Sequence, residues 1–252
     1  MARQARRQSQ SGIYHFILRG INKQVVFEDH QDREKFLWCL RNFKESGQYQ
    51  LYGYCLMSNH IHLLLKEGQE PIALTMKRIG VSYVSWFNRK YERCGHLFQD
   101  RFRSEPVEDD GYFLTVLRYI HQNPVKSGET QKVEEYQWSS YQAYLGESGF
   151  VDTDFALALF SSEREIAKSR FAGFMNEIVE NMDIIVYRPN KMTDQEIKQV
   201  IQKIAGVSPA DIQTMEKRKR DEIIREIKKM NGITTRQLAR LTGITQSVIV
   251  RV

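Results

Sequence analysis

The chain predicts an α+β fold in two parts, and three observations carry that expectation. Apolar periodicity over residues 12–124 runs strand, helix, strand, strand, helix, strand, helix, alternating between a period of two and a period near 3.6. From residue 193 onward the pattern is helical. Charge falls into matching blocks. Residues 1–128 carry 19 Lys and Arg against 13 Asp and Glu, residues 129–185 carry 4 against 11, and residues 186–252 carry 14 against 7. Two basic stretches around an acidic one suit two modules facing nucleic acid, joined by a segment that does not.

Each element has its own signal. "GIYHFILRG" (12–20) is rich in β-branched and aromatic residues and ends at Gly20, as a strand does. In "DHQDREKFLWCLRNFKES" (29–46), positions 36, 37, 40 and 43 are apolar, a helical spacing, with Gly47 as the expected stop. "YQLYGYCLMS" (49–58) and "HIHLLLK" (60–66) read as two strands joined tightly at Ser58-Asn59. "PIALTMKRIGVSYVSWFNRKYER" (71–93) opens on Pro71, suited to a helix start, and keeps apolar spacing. "RFRSEPVED" (101–109) predicts a strand, with Pro106 near a sheet edge. "DGYFLTVLRYIHQNP" (110–124) predicts a helix stopped by Pro124. This order is the split βαβ, or ferredoxin-like, pattern with one added helix. It predicts an antiparallel sheet with helices on one face.

The expected domains are 1–145, an acidic connector over 146–192, and a helical domain over 193–252 that opens with a Thr193/Glu196 capping box. Trp38, Trp86 and Trp138 fall in helical or aromatic clusters and are expected in the core. No apolar run reaches the length of a membrane span, and "MARQARRQSQSG" lacks the apolar stretch of a signal peptide. Its Arg3, Arg6 and Arg7 suit either a backbone clamp or a flexible arm. Cys39, Cys55 and Cys94 form no CxxC pair, which argues against a disulfide framework and a zinc knuckle. A cytoplasmic protein without a membrane partner is the expectation, as monomer or homodimer.

The chemistry concentrates in "MSNHIHLLLKE" (57–67). In a strand, residues i and i+2 share a face, so His60 and His62 stand side by side with Ile61 opposite. Two neutral imidazoles supply half a metal coordination sphere. The helix at 110–123 offers partners. Its apolar face holds Phe113, Val116, Leu117 and Ile120, while Tyr112, Tyr119 and Asn123 lie together at the border of that face. A tyrosine there is held by packing while its hydroxyl reaches a cleft, and Asn123 offers an amide oxygen. Spacing alone leaves Tyr112 and Tyr119 both open.

"YHFILRGINKQVVFED", "YGYCLMSNHIHLLL", "GHLFQDRFRSEPV" and "YFLTVLRYIHQNPVKSG", in that order, resemble the single-tyrosine HUH transposases, specifically the REP-associated tyrosine transposase branch. The resemblance covers about residues 12–145. It implies a metal-dependent enzyme that nicks single-stranded DNA at hairpins and transfers the strand through a covalent 5′-phosphotyrosine. It places the nucleophile on Tyr119 and the third metal ligand, beside His60 and His62, on Asn123. A mixed imidazole and amide site completed by water and phosphate suits Mg²⁺ or Mn²⁺ better than Zn²⁺. In "HLFQDRFRSE", Gln99, Arg101 and Arg103 are expected to contact DNA, with Phe98 and Phe102 in the core.

"ITTRQLARLTGITQSVIVRV" has a helix-turn-helix rhythm, with Gly243 at the turn and a second helix opening at Thr245. With the segment before it, it resembles the DNA-binding C-terminal domain of bacterial chromosomal replication initiators. Arg236, Thr245, Gln246 and Ser247 are the expected contacts. Two other classes compete with the enzyme. One is a non-catalytic, hairpin-binding regulator derived from a transposase, the other a phosphodiesterase that needs no tyrosine.

Overall fold

The computed structural model describes residues 7–146, 149–177, 194–230, 233 and 235–252. The chain divides into two units, Met1–Ile184 and Ile185–Val252.

The first unit is built in the order β1 (Ile13–Arg19), α1 (His30–Gly47), β2 (Gln50–Met57), β3 (His60–Lys66), α2 (Ile72–Lys90), β4 (Arg103–Pro106) and α3 (Asp110–Lys126). Its sheet has the order β2-β3-β1-β4, and every neighbouring pair is antiparallel. The β2–β3 connection is Ser58-Asn59, as the sequence predicts. The Ser58 carbonyl accepts from Val26 N at 2.8 Å and the Asn59 carbonyl from Gly20 N at 2.9 Å, which ties this turn to the loop after β1. Gly20 makes that loop possible, because a Cβ there would lie 2.1 Å from the Gln24 carbonyl oxygen.

Several boundaries differ from expectation for physical reasons. Helix α1 runs through Gly47, and the left-handed residue after it is Gln48 (φ 48°). Helix α3 does not stop at Pro124 but continues to Lys126. Proline in the last turn removes the bond it would have donated to the Ile120 carbonyl and crowds that carbonyl, but no further turn follows that has to be kept in line. The end is rebuilt by Ser127 N to Asn123 O (3.0 Å) and Glu129 N to Pro124 O (2.9 Å).

The expectation of helices on one face is corrected. Helix α3 packs on the face of β2 and β3 that carries His62, where Leu117 seats over Gly53. Phe16, Leu18, Ile61 and Leu63 project to the opposite face and are also buried, in one core with Phe36, Leu40, Ile79 and Tyr83 of α1 and α2. Strand β3 reads apolar on both faces past the histidines, so both must be covered.

The acidic segment expected as a connector belongs, over its described residues, to this core. Helices α4 (Tyr141–Leu145), α5 (Asp154–Ala158) and α6 (Arg164–Asn176) follow α3. Ala167, Phe171 and Met175, at i, i+4 and i+8, are buried, and Phe171 stacks on Tyr144 at 4.3 Å. The segment also closes the outer edge of β2 through Asp152 N to Leu51 O, continuing bonds that Trp138 and Ser140, before it, make with Leu56 N and Tyr54 O. Trp86 and Trp138 pack against the core. Trp38 does not: it lies off the buried Phe36–Cys39–Leu40 stripe and is 49% exposed, with the Lys35 ammonium 3.5 Å from its ring centroid.

The second unit contains α7 (Asp194–Ala205), a 3-10 turn (Pro209–Thr214), α8 (Lys217–Lys229), α9 (Thr235–Thr242) and α10 (Gln246–Arg251) around an isoleucine-rich core. Gly243, at φ +71°, separates α9 from α10. The expected capping residue Thr193 lies outside the described residues, as do Arg3 and Arg6. No helix among the described residues is long and apolar enough to cross a membrane.

Candidate active site

Strand register assembles the site. Directly opposed residues of antiparallel strands share a face. One cross-strand row reads Arg103, Ile17, His62, Cys55, the next Arg19, His60, Met57, and a third Glu105, His15, Leu64, Gly53. His15, Arg19, His60, His62 and Arg103 therefore project from one face of the sheet, the face that α3 crosses.

The three histidines form a contact chain. The rings of His60 and His62 meet edge-on at 4.9 Å, and those of His62 and His15 stack at 5.2 Å. His15 Nε2 lies 3.0 Å from His62 Nδ1. His60 Nδ1 donates to the Asn59 amide oxygen at 2.6 Å, which leaves the lone pair on His60 Nε2. Burial penalises the charged form of all three rings. It pushes His15 down to about 3 and lowers His60. His62 is held well below the usual histidine range, mainly by burial and further by the charges of His15, His60 and Arg19.

Helix α3 brings its residues to this chain. The Tyr119 ring sits edge-on to His62 at 5.3 Å and to His15 at 6.0 Å. One turn later, the Asn123 side chain favours the charged form of the His60 ring against the effect of burial, and its amide nitrogen donates to the Tyr119 carbonyl at 3.3 Å. The Lys126 ammonium lies 5.4 Å from the Tyr119 ring centroid, and desolvation together with the Arg118 charge lowers its pKa. Tyr112 is two turns away, about 10 Å along the axis. Burial, Glu105 and Asp109 raise its pKa, so its surroundings oppose an anion.

Of the residues singled out from the sequence, His60, His62, Tyr119 and Asn123 are thus brought together. Arg103 lies on the same face, exposed. Gln99 and Arg101 are exposed on the segment leading to β4, and Gln99 N bonds Arg19 O at 2.8 Å. Phe98 packs on Tyr83 and Phe102 on Phe16, as core residues. In the second unit Arg236, Thr245 and Ser247 are exposed, and half-buried Gln246 donates to Thr235 Oγ1 at 3.1 Å. His15, Arg19 and Lys126 escaped sequence reasoning. Strand pairing brings the first two to the site, and only the continuation of α3 past Pro124 brings the third.

Among the described residues no cluster of three His, Cys, Asp or Glu side chains could hold a metal ion. The donor set is instead two imidazoles and the Asn123 amide. His62 Nε2 is buried without a hydrogen-bond partner, and in the tautomer that leaves its lone pair there a cation would satisfy it, so these residues fit a divalent metal.

A four-stranded antiparallel sheet presenting a histidine pair to a helix-borne tyrosine defines an α+β domain with a His–His–Tyr site. Residues 8–123 match the family described as Transposase IS200 like. A curated protein of Haemophilus influenzae named "Putative REP-associated tyrosine transposase" is 28% identical over 109 residues, which is 38% of this chain and 61% of that relative's length. A solved REP-associated tyrosine transposase bound to a REP hairpin aligns with a TM-score of 0.52 at 16% identity, covering 60% of this chain and 89% of that structure. At that identity the likeness is one of fold.

Proposed function

We propose that this chain is a metal-dependent DNA nickase and strand transferase of the REP-associated tyrosine transposase kind. It acts on single-stranded DNA at hairpin sites through a covalent 5′-phosphotyrosine on Tyr119. The observation that carries the reading is the packing of Tyr119 against His62, with Asn123 one turn on and bonded back to the Tyr119 carbonyl. We read the β2-β3-β1-β4 order as the ferredoxin-like split βαβ, with α3 added to present the tyrosine.

His60, His62 and Asn123 would hold Mg²⁺ or Mn²⁺. When bound, the ion supplies charge at a non-bridging phosphate oxygen and at the departing 3′-oxygen. Tyr119 attacks phosphorus in line. Its oxygen forms the new P–O bond, the P–O3′ bond breaks, the phenol proton passes to solvent and the leaving 3′-oxygen takes one up. Lys126, over the Tyr119 ring, favours the developing phenolate. Arg19 and Arg103 face the phosphate, and Gln99 and Arg101 extend that basic border along the strand. The phosphotyrosine keeps the ester energy, so an incoming 3′-hydroxyl reverses the step and joins a new strand.

For the second unit we propose a helix-turn-helix role at α9 and α10, in which Arg236, Thr245, Gln246 and Ser247 contact duplex or hairpin stem. The test of the enzymatic reading is an end-labelled hairpin oligonucleotide incubated with Mg²⁺, Mn²⁺ or chelator. Nicking is expected with metal only, and His60→Ala and His62→Ala are each expected to lose about 100-fold or more. Undiminished nicking by both variants, or equal nicking in chelator, contradicts it.

A further inference from the structure

His15 has no role in the mechanism above, yet it is fully buried on the site face and touches a proposed metal ligand. We propose that His15 is a positioning residue. With a divalent cation on His62 Nε2, it accepts the Nδ1 hydrogen of His62 and so holds the ring in the tautomer that leaves the Nε2 lone pair to the cation. The inference rests on the metal reading of His60, His62 and Asn123.

The ring hydrogens of the two histidines are limited in number. Both rings are buried, where the neutral form is favoured, and a neutral imidazole carries one ring hydrogen. The 3.0 Å contact between His15 Nε2 and His62 Nδ1 uses one hydrogen and one lone pair. Two arrangements satisfy it. In the first, His62 Nδ1–H donates to His15 Nε2, so His62 Nε2 is a lone pair and His15 carries its hydrogen on Nδ1. In the second, His15 Nε2–H donates to His62 Nδ1, so His62 carries its hydrogen on Nε2 and is blocked as a ligand. The two outer atoms, His62 Nε2 and His15 Nδ1, are both buried without a hydrogen-bond partner, so the protein favours neither arrangement through them. A cation at His62 Nε2 selects the first. His60 needs no such partner from the sheet: the Asn59 amide oxygen can only accept, which already places its hydrogen on Nδ1. Register makes the placement of His15 specific. It sits one row from His62, opposite Leu64, and the two rings stack at 24° between planes.

Ligating histidines are commonly oriented by an acceptor on the other ring nitrogen, and losing such a partner costs about 10- to 100-fold in metal affinity. The test uses the full chain in two ways. Mn²⁺ binding is titrated for the wild type, His15→Phe and His15→Gln, with circular dichroism and Tm reporting the fold. Ring ¹⁵N correlation spectra of the wild type with labelled histidine, in saturating Mg²⁺, report which His62 nitrogen is protonated. The inference expects Mn²⁺ affinity about 10- to 100-fold lower in His15→Phe, largely restored in His15→Gln because its amide oxygen still accepts, and His62 protonated on Nδ1. Unchanged affinity in a folded His15→Phe, or a hydrogen on His62 Nε2 with Mg²⁺ bound, overturns it. If His15→Phe does not fold, the wild-type spectra decide alone. A wild type that binds no Mn²⁺ overturns the metal reading and this inference with it.

Discussion

At the scale of single residues, burial sets the protonation states on which the site depends. His121 gives the simplest case, because it lies on the far side of α3 from Tyr119, fully buried among Tyr141, Tyr144 and Phe171, with Nε2 2.8 Å from Ser140 Oγ. Burial pushes its pKa down to about 3. An unfolded histidine titrates near 6.5, so between those values the unfolded chain binds more protons than the folded one. The stability contributed by neutral His121 is therefore fully present above about pH 6.5 and is lost as pH falls toward 3, at about 1.4 kcal/mol per pH unit. Denaturant unfolding of the metal-free protein between pH 6.5 and 5 is expected to show a slope to which His15, His60, His62 and His121 all contribute, reduced by about one proton in His121→Gln. An unaltered slope in the variant contradicts the assignment. His60 and His62 were legible because their spacing in one strand states their common face. His15 and Arg19 were not, since strand pairing, invisible in a single sequence, puts them beside that pair.

At the scale of elements, the distance of α3 from the sheet sets the distance of the tyrosine from the histidines. Gly53 controls it, because a Cβ there would lie 2.7 Å from Leu117 Cδ1, and Leu117 is fully buried. Gly53→Ala is expected to lower stability by about 1–3 kcal/mol through overpacking. Nicking is expected to fall more than DNA binding does, because small misplacements of reacting groups are costly. Adding Leu117→Ala in the same chain is expected to recover part of both, and a double-mutant cycle with no coupling contradicts the contact. The strands and helices up to residue 110 could be read from periodicity and turn residues. The end of α3 could not, because proline in a last turn looks in sequence like a stop. Helix α6 could not either, because Ile166, Ala172 and Phe174 interrupt the spacing of its three buried residues and blur the single apolar stripe.

At the scale of the whole molecule, the basic–acidic–basic charge pattern maps unevenly onto the fold. The described part of the acidic stretch is a wall of the first unit rather than a connector, whereas the terminal basic stretch belongs to a unit with its own core. A chain ending at residue 190 is expected to nick a short single-stranded substrate at high concentration but to bind hairpin DNA more weakly. Its binding should depend less steeply on salt, since fewer phosphates are neutralised. Unchanged affinity and salt slope would remove the second unit from DNA binding. The central claim concerns one oxygen atom, that of Tyr119. Its most direct test is to trap the full chain on a cleavable hairpin oligonucleotide with Mg²⁺ or Mn²⁺, digest the complex and locate the nucleotide-bearing peptide by mass. The account predicts a 5′-phosphate ester on Tyr119, and a Tyr119→Phe protein that still binds DNA and metal but forms no adduct and makes no nick. An adduct on Tyr112, or nicking by Tyr119→Phe with release of a free 5′-phosphate, would contradict it.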